Sequence, residues 1–135
     1  EQDVAAALTV AINDIRVAAG LTRLTMSSTL TTTATDYAHR LAAYGSLTHQ
    51  LDPTCDTTCR MQSYQLSTNE WGGNVGWWDG GMTRARAPMV AALIAGWQAS
   101  PSHRANLVSP AYSHVGIGVV ANDNEYFVVA QFAAW

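Results

Sequence analysis

The chain has 135 residues, 48% of them hydrophobic, with five tryptophans and a formal net charge of −3. That length suits one domain around one core, expected to span residues 1–135, and the composition excludes a disordered chain. All seven basic residues are arginines without clusters, so nucleic acid and anionic membrane are poor partners, and the longest apolar run, 90–97, is too short to span a bilayer.

Residues 3–19 read as a helix, because Val4, Leu8, Ile12 and Ile15 form one apolar stripe and Gly20 can cap its end. Ser27 or Ser28 can cap a second helix that runs to Tyr44, with Leu30, Ala34, Tyr37, Ala38 and Leu41 on one face and Gly45 as its stop. The run Thr31 to Thr33 lowers its helix propensity, so packing must hold it. His49 follows four residues past that stop. Residues 49–68 carry little pattern; Asp52-Pro53 marks a turn, and 59–66 suits a short helix or a loop. The segment 69–81, NEWGGNVGWWDGG, is too rich in glycine for a helix and is expected to be a loop entering a short strand at 74–78. Residues 83–99 read as a third helix, with Thr83 as cap and Val90, Leu93, Ile94 and Trp97 as stripe. Ser100-Pro101 stops it, which leaves His103 on a short rigid connection before a strand at 115–119. Asn122-Asp123-Asn124 suits a hairpin turn, and 126–132 a returning strand. The order fits an α+β domain with helices packed on a mostly antiparallel sheet.

Chemistry-bearing residues are few. Cys55 and Cys59 admit three readings: a small-loop disulfide of an exported protein, two free thiols, or metal ligation; the last lacks a second Cys/His pair at finger spacing. The disulfide is the expectation. No signal-peptide pattern is present, and Glu1 as first residue is consistent with a trimmed, exported chain. His39, Asp14 and Asp36 read as surface residues on helices, and His114 as structural. His49 and His103 both follow helix ends and can project into one cleft, where Glu70 is the obvious third ligand for a zinc ion. Ser100 and Ser102 lie near His103, but no Gly-x-Ser-x-Gly elbow is present. Arg104 and Asn106 are expected to bond backbone groups of the turn after His103.

Taken together, five segments resemble the CAP superfamily of cysteine-rich secretory, antigen 5 and pathogenesis-related proteins, closest to bacterial single SCP-like domains. They are Asn13-Asp14-Ile15-Arg16 with Gly20-Leu21 and Leu24; Gly45-Ser46-Leu47-Thr48-His49; Gly73-Asn74-Val75; Trp97 to Leu107, WQASPSHRANL; and Val115-Gly116-Ile117-Gly118. The resemblance implies a three-layer α-β-α sandwich with a central cleft, an extracellular location, and a divalent metal, commonly zinc, held by His49 and His103. It also implies two cleft glutamates, whose positions are Gly73 and Ser100 here. Metal binding is therefore expected to be weak.

Three functions compete. The favoured one is an exported binding module whose cleft, walled by Trp71, Trp77 and Trp78, accepts an apolar lipid- or sterol-like ligand or a cell-wall ligand, with a protein partner also open. A metal-assisted or Ser/His-type hydrolase is the alternative, weakened by the missing carboxylates. A host-facing structural protein without cleft chemistry is the third.

Overall fold

A computed structural model describes residues 2–45, 47–48, 51–52, 54–55, 57–63, 70–79, 86–122 and 125–135. Helix α1 (Gln2–Ala18) buries Val4, Leu8 and Ile12, and Gly20 follows it with a positive φ of 77°. Ser27 caps α2 (Ser28–Tyr44), its hydroxyl accepting the Leu30 N–H at 3.2 Å; Gly45, left-handed at φ 81°, closes α2 by donating to the Leu41 carbonyl at 2.8 Å. The threonines of α2 fold their hydroxyls back onto the preceding turn, Thr31 onto Ser27 O and Thr35 onto Thr31 O, which hides their polar atoms while the helix packs.

Strands β1 (Thr25–Met26), β2 (Trp71–Asp79), β3 (His114–Asn122) and β4 (Glu125–Ala133) form one sheet in the order β1-β3-β4-β2, antiparallel except for β1 against β3. Alternation along β3 separates two cores. Val115, Ile117 and Val119 face α1, α4 (Arg86–Ala99) and α5 (Pro101–Leu107); Gly116, Gly118 and Val120 face α2. The two glycines fix that spacing. A Cβ at Gly116 would strike the Thr31 nitrogen, and one at Gly118 the Thr35 nitrogen, so α2 lies on the bare strand backbone. Helices thus cover both faces, the three-layer α+β arrangement expected. Among the described residues no helix is long and apolar enough to cross a membrane.

Several expectations need correction. The strand expected at 74–78 runs from Trp71 to Asp79, because its glycines let helix side chains approach rather than loosen the chain: a Cβ at Gly76 would lie 2.6 Å from Leu93 Cδ2. His103 is not on a loop; it lies inside α5, since Pro101 both ends α4 and opens the next helix at its first turn. The short helix α3 spans Thr57–Ser63, beginning two residues before the expected 59, while 64–66 lie outside the described residues; the two-residue β1 has no signal in the sequence. Cys55 and Cys59 are joined by a disulfide with Cα atoms 5.2 Å apart. The turn at Asp52 is present: its carboxylate accepts from Thr54 N at 2.8 Å and Thr54 Oγ1 at 2.6 Å. The expected cap Thr83, Pro53, and the 123–124 turn lie outside the described residues, although Asn122 and Glu125 do pair in register.

Candidate functional site

Strand β2 is an outer strand, and its free edge is fastened by side chains from the helix layer. The carbonyls of Trp71, Gly73 and Val75, at alternate positions, accept from Tyr112 Oη (2.8 Å), Asn106 Nδ2 (3.2 Å) and Trp97 Nε1 (2.9 Å). In a strand every second carbonyl points away from its paired neighbour, so these three bonds occupy acceptors that would otherwise recruit another strand.

The same contacts seat α5. Asn74, fully buried, donates its side-chain amide to the His103 carbonyl at 3.1 Å and accepts from Asn106 Nδ2 at 2.9 Å. Asn106 therefore bonds backbone as expected, at Gly73; Arg104 is exposed and makes no such side-chain bond among the described residues. The far end of α5 is held by Arg16, whose buried guanidinium donates to the carbonyls of Thr22 (2.9 Å), Leu107 (3.1 Å), Ser109 (2.8 Å) and Tyr112 (3.3 Å). Burial lowers the Arg16 pKa from its ordinary value. Asn13 completes this corner by gripping Leu24 at both its N–H (2.7 Å) and its carbonyl (3.1 Å).

Between β2, the end of α4 and the start of α5 lies a cavity of about 330 Å³, lined by Val75, Gly76, Trp77, Ala92, Leu93, Gly96, Trp97, Ser100 and His103. It has an apolar floor with two polar side chains at one end. Ser100 Oγ is 3.4 Å from Ser102 Oγ.

Of the residues picked out in the sequence, His103, Ser100 and Trp77 line this cavity. Trp71 begins β2 and is half-buried; Trp78 lies on the other side of the strand from Trp77, packed against the core with Leu93 and Trp97. Glu70 is exposed just before β2, and its charge acts on Tyr112: burial first, then Glu70, raises the Tyr112 pKa above its ordinary value. None of Trp71, Trp78 and Glu70 lines the cavity. His49 lies outside the described residues. His39 and Asp36 are exposed, as is Asp14.

The sequence reading missed Asn74 and Gln131. Gln131 is buried, donates Nε2 to the Gly72 carbonyl at 2.7 Å, and holds Oε1 3.5 Å from where a Gly73 side chain would start. It stands beside the position where the resemblance expects a glutamate. A lone amide in the apolar run 127–133 was the available signal.

Among the described residues no three His, Cys, Asp or Glu side chains gather as metal ligands. Among the described residues the cavity lining offers one imidazole, that of His103, and no carboxylate. By themselves these donors do not fit a closed zinc site, which takes four ligands.

Comparison with curated protein sequences finds no significant match. Among solved structures, an outer surface protein of Borrelia burgdorferi superposes with a TM-score of 0.81 at 23% identity, over 94% of this chain and 89% of that one. An extracellular SCP-domain protein of Bacillus anthracis gives 0.80 at 20% identity, and a cysteine-rich secretory protein of Staphylococcus aureus 0.71 at 18%. These two are matched over 100% and 96% of this chain, which spans only 41% and 38% of their lengths. At such identities the likeness shows the fold. The profile of the cysteine-rich secretory protein family matches residues 10–132, which covers α4, α5 and all of the sheet but its last residue, Ala133. The chain belongs to the CAP, or cysteine-rich secretory protein, family.

Proposed function

We propose that this domain is an exported binding module that takes an amphipathic, lipid- or sterol-like ligand against α4. The observation that carries the reading is that α4 is apolar on all sides yet buried on one. Met89, Leu93 and Trp97 enter the core, while Ala92 and Gly96 line the cavity at His103. On the opposite flank Ala87, Val90, Ala91 and Ile94 form, with Ala7 and Ala11 of α1, a second depression of about 390 Å³, with no polar side chain among its described lining residues. A helix apolar all round is normally enclosed. Here the uncovered sides form two hollows of a size that small ligands use.

The cavity at His103 suits a ligand with an apolar body and one polar head. Its body lies over Leu93 and Trp97 at the edge of β2, and its head meets Ser100 and His103. The extracellular location is supported by family membership, by the disulfide, and by relatives described as extracellular or outer-surface proteins. The hydrolase alternative finds no carboxylate among the described lining residues to support it.

Gel filtration of the protein with tritiated palmitate or cholesterol sulfate tests the reading. Co-elution near one ligand per chain supports it. No retention of either lipid, or retention only of a cell-wall glycan oligomer, contradicts it.

A divalent cation would be held by His103 together with His49, with water completing the shell. Calorimetric zinc titration at neutral pH is expected to show weak binding that disappears in His103→Ala and in His49→Ala. Zinc binding left unchanged by both substitutions would remove the cleft from consideration.

A further inference from the structure

A third cavity, of about 350 Å³, opens on the α2 side of β2 and is lined by Gly45, Leu47, Trp77, Glu125 and Phe127. Trp77 and Phe127 face each other in register across β2 and β4, one 45% exposed and the other 1%. They supply an indole wall open to solvent and a phenyl ring beneath it. The polar features are all of one sign. Glu125 contributes a carboxylate. Gly45 is the C-cap of the 17-residue helix α2, whose last carbonyls carry the negative end of the helix dipole, and α2 has no basic residue in its last turn to offset it. No arginine or histidine is among the described lining residues.

Aromatic faces attract a cation most when it is weakly hydrated and carries an apolar skirt. A carboxylate and a helix C-terminal end add charge complementarity to a cation held there. We propose that this cavity binds an organic cation of the trimethylammonium type, a choline group, between Trp77 and Glu125. The methyl groups lie against Trp77, Phe127 and Leu47, and the charge is shared between Glu125 and the end of α2. The site is independent of the lipid reading: it shares Trp77 with the cavity at His103, but neither Ser100 nor His103 lines it.

The test is titration of the whole, nitrogen-labelled protein with choline chloride, following the indole N–H resonances by NMR at constant ionic strength. The Trp77 signal is assigned by its loss in Trp77→Phe. A saturable shift of that signal by choline, absent with its neutral isostere neohexanol, is expected. Glu125→Gln should weaken it by about fivefold or more, and His103→Ala should leave it unchanged. Phosphatidylcholine vesicles that sediment the protein, with soluble choline competing, identify a lipid headgroup as the source; binding of choline without sedimentation identifies a soluble ligand. The proposal is overturned if choline gives no saturable shift. It is equally overturned if neohexanol shifts the signal as choline does, or if Glu125→Gln, shown folded by its spectrum, binds choline like the wild type.

Discussion

The Asn74 side-chain amide donates to the His103 carbonyl oxygen at 3.1 Å, joining the outer strand of the sheet to the helix that carries the cleft histidine. Asn74 also accepts from Asn106, so two short amides hold α5 to β2. Replacing Asn74 with Ala removes its bond to the His103 carbonyl and the side-chain acceptor of one Asn106 N–H. The expected cost is about 1–3 kcal/mol, read from urea unfolding, with the His103 ring resonances shifted. Asn106→Ala is expected to cost a similar amount. Unfolding midpoints equal to wild type would show that water replaces these bonds.

Gly118 lies directly under the backbone of α2. Gly118→Ala therefore has to lift a helix, not displace a flexible side chain. Overpacking of this kind costs typically about 1–3 kcal/mol, and a backbone obstacle belongs at the upper end. Gly96→Ala is the control, because a Cβ there meets nothing within 4 Å and an extra methyl favours a helix. The first variant should melt lower than wild type and the second at or above it.

Cys55 and Cys59 enclose a loop of five residues, so their bond removes little freedom from the unfolded chain. Cys55→Ser with Cys59→Ser is expected to lower stability by roughly 2 kcal/mol. The loss should be felt at α3, where Arg60 stacks over the Tyr37 ring at 3.7 Å. Alkylation of the unreduced protein should modify no cysteine; recovery of two modified thiols would refute the bridge.

Tyr37 and Tyr112 both titrate above the ordinary tyrosine value of 10.0, chiefly because burial disfavours their phenolates. Arg60 opposes that shift at Tyr37, and Glu70 adds to it at Tyr112. In the unfolded chain these hydroxyls ionise first. Below the ordinary value both states are protonated and neither residue makes stability depend on pH. As pH rises past it, the unfolded state loses protons that the folded state keeps, and stability falls. Unfolding midpoints should therefore drop between about pH 9 and about pH 11, less steeply in Tyr112→Phe.

Most of the fold was legible because its signals are periodic or local. The stripe Val4, Leu8, Ile12 defines α1, and the alternation of Val115, Ile117 and Val119 defines the face of β3 turned toward α1, α4 and α5. Helix α5 was not legible because Pro101 is ambiguous: it ends one helix as readily as it begins another. The glycines of β2 misled for a related reason. They read as loop residues one by one, but each answers to a neighbour distant in sequence, such as Leu93 at Gly76. Ser100, Trp77 and His103 could be named from the chain, whereas the side that each presents depends on the register of β2 with β4 and on the seating of α5. Gln131 was passed over as one polar residue in a strand, because its partner, the Gly72 carbonyl, lies 59 positions away.

Two exposed alanines on neighbouring sides of α4 separate its two hollows: Ala92 lines the cavity at His103 and Ala91 the groove against α1. A carboxylate placed at either position would oppose an apolar ligand there while touching no core contact, so melting temperatures should stay near wild type. Calorimetric titration of wild type, Ala92→Asp and Ala91→Asp with palmitate and with cholesterol sulfate is therefore the most direct measurement of lipid binding on α4. Wild type should bind at least one of the two lipids, and one of the substitutions should weaken that binding by about tenfold or more, a difference of about 1.4 kcal/mol. A wild type that binds neither lipid, or two variants that both bind as wild type does, would contradict it.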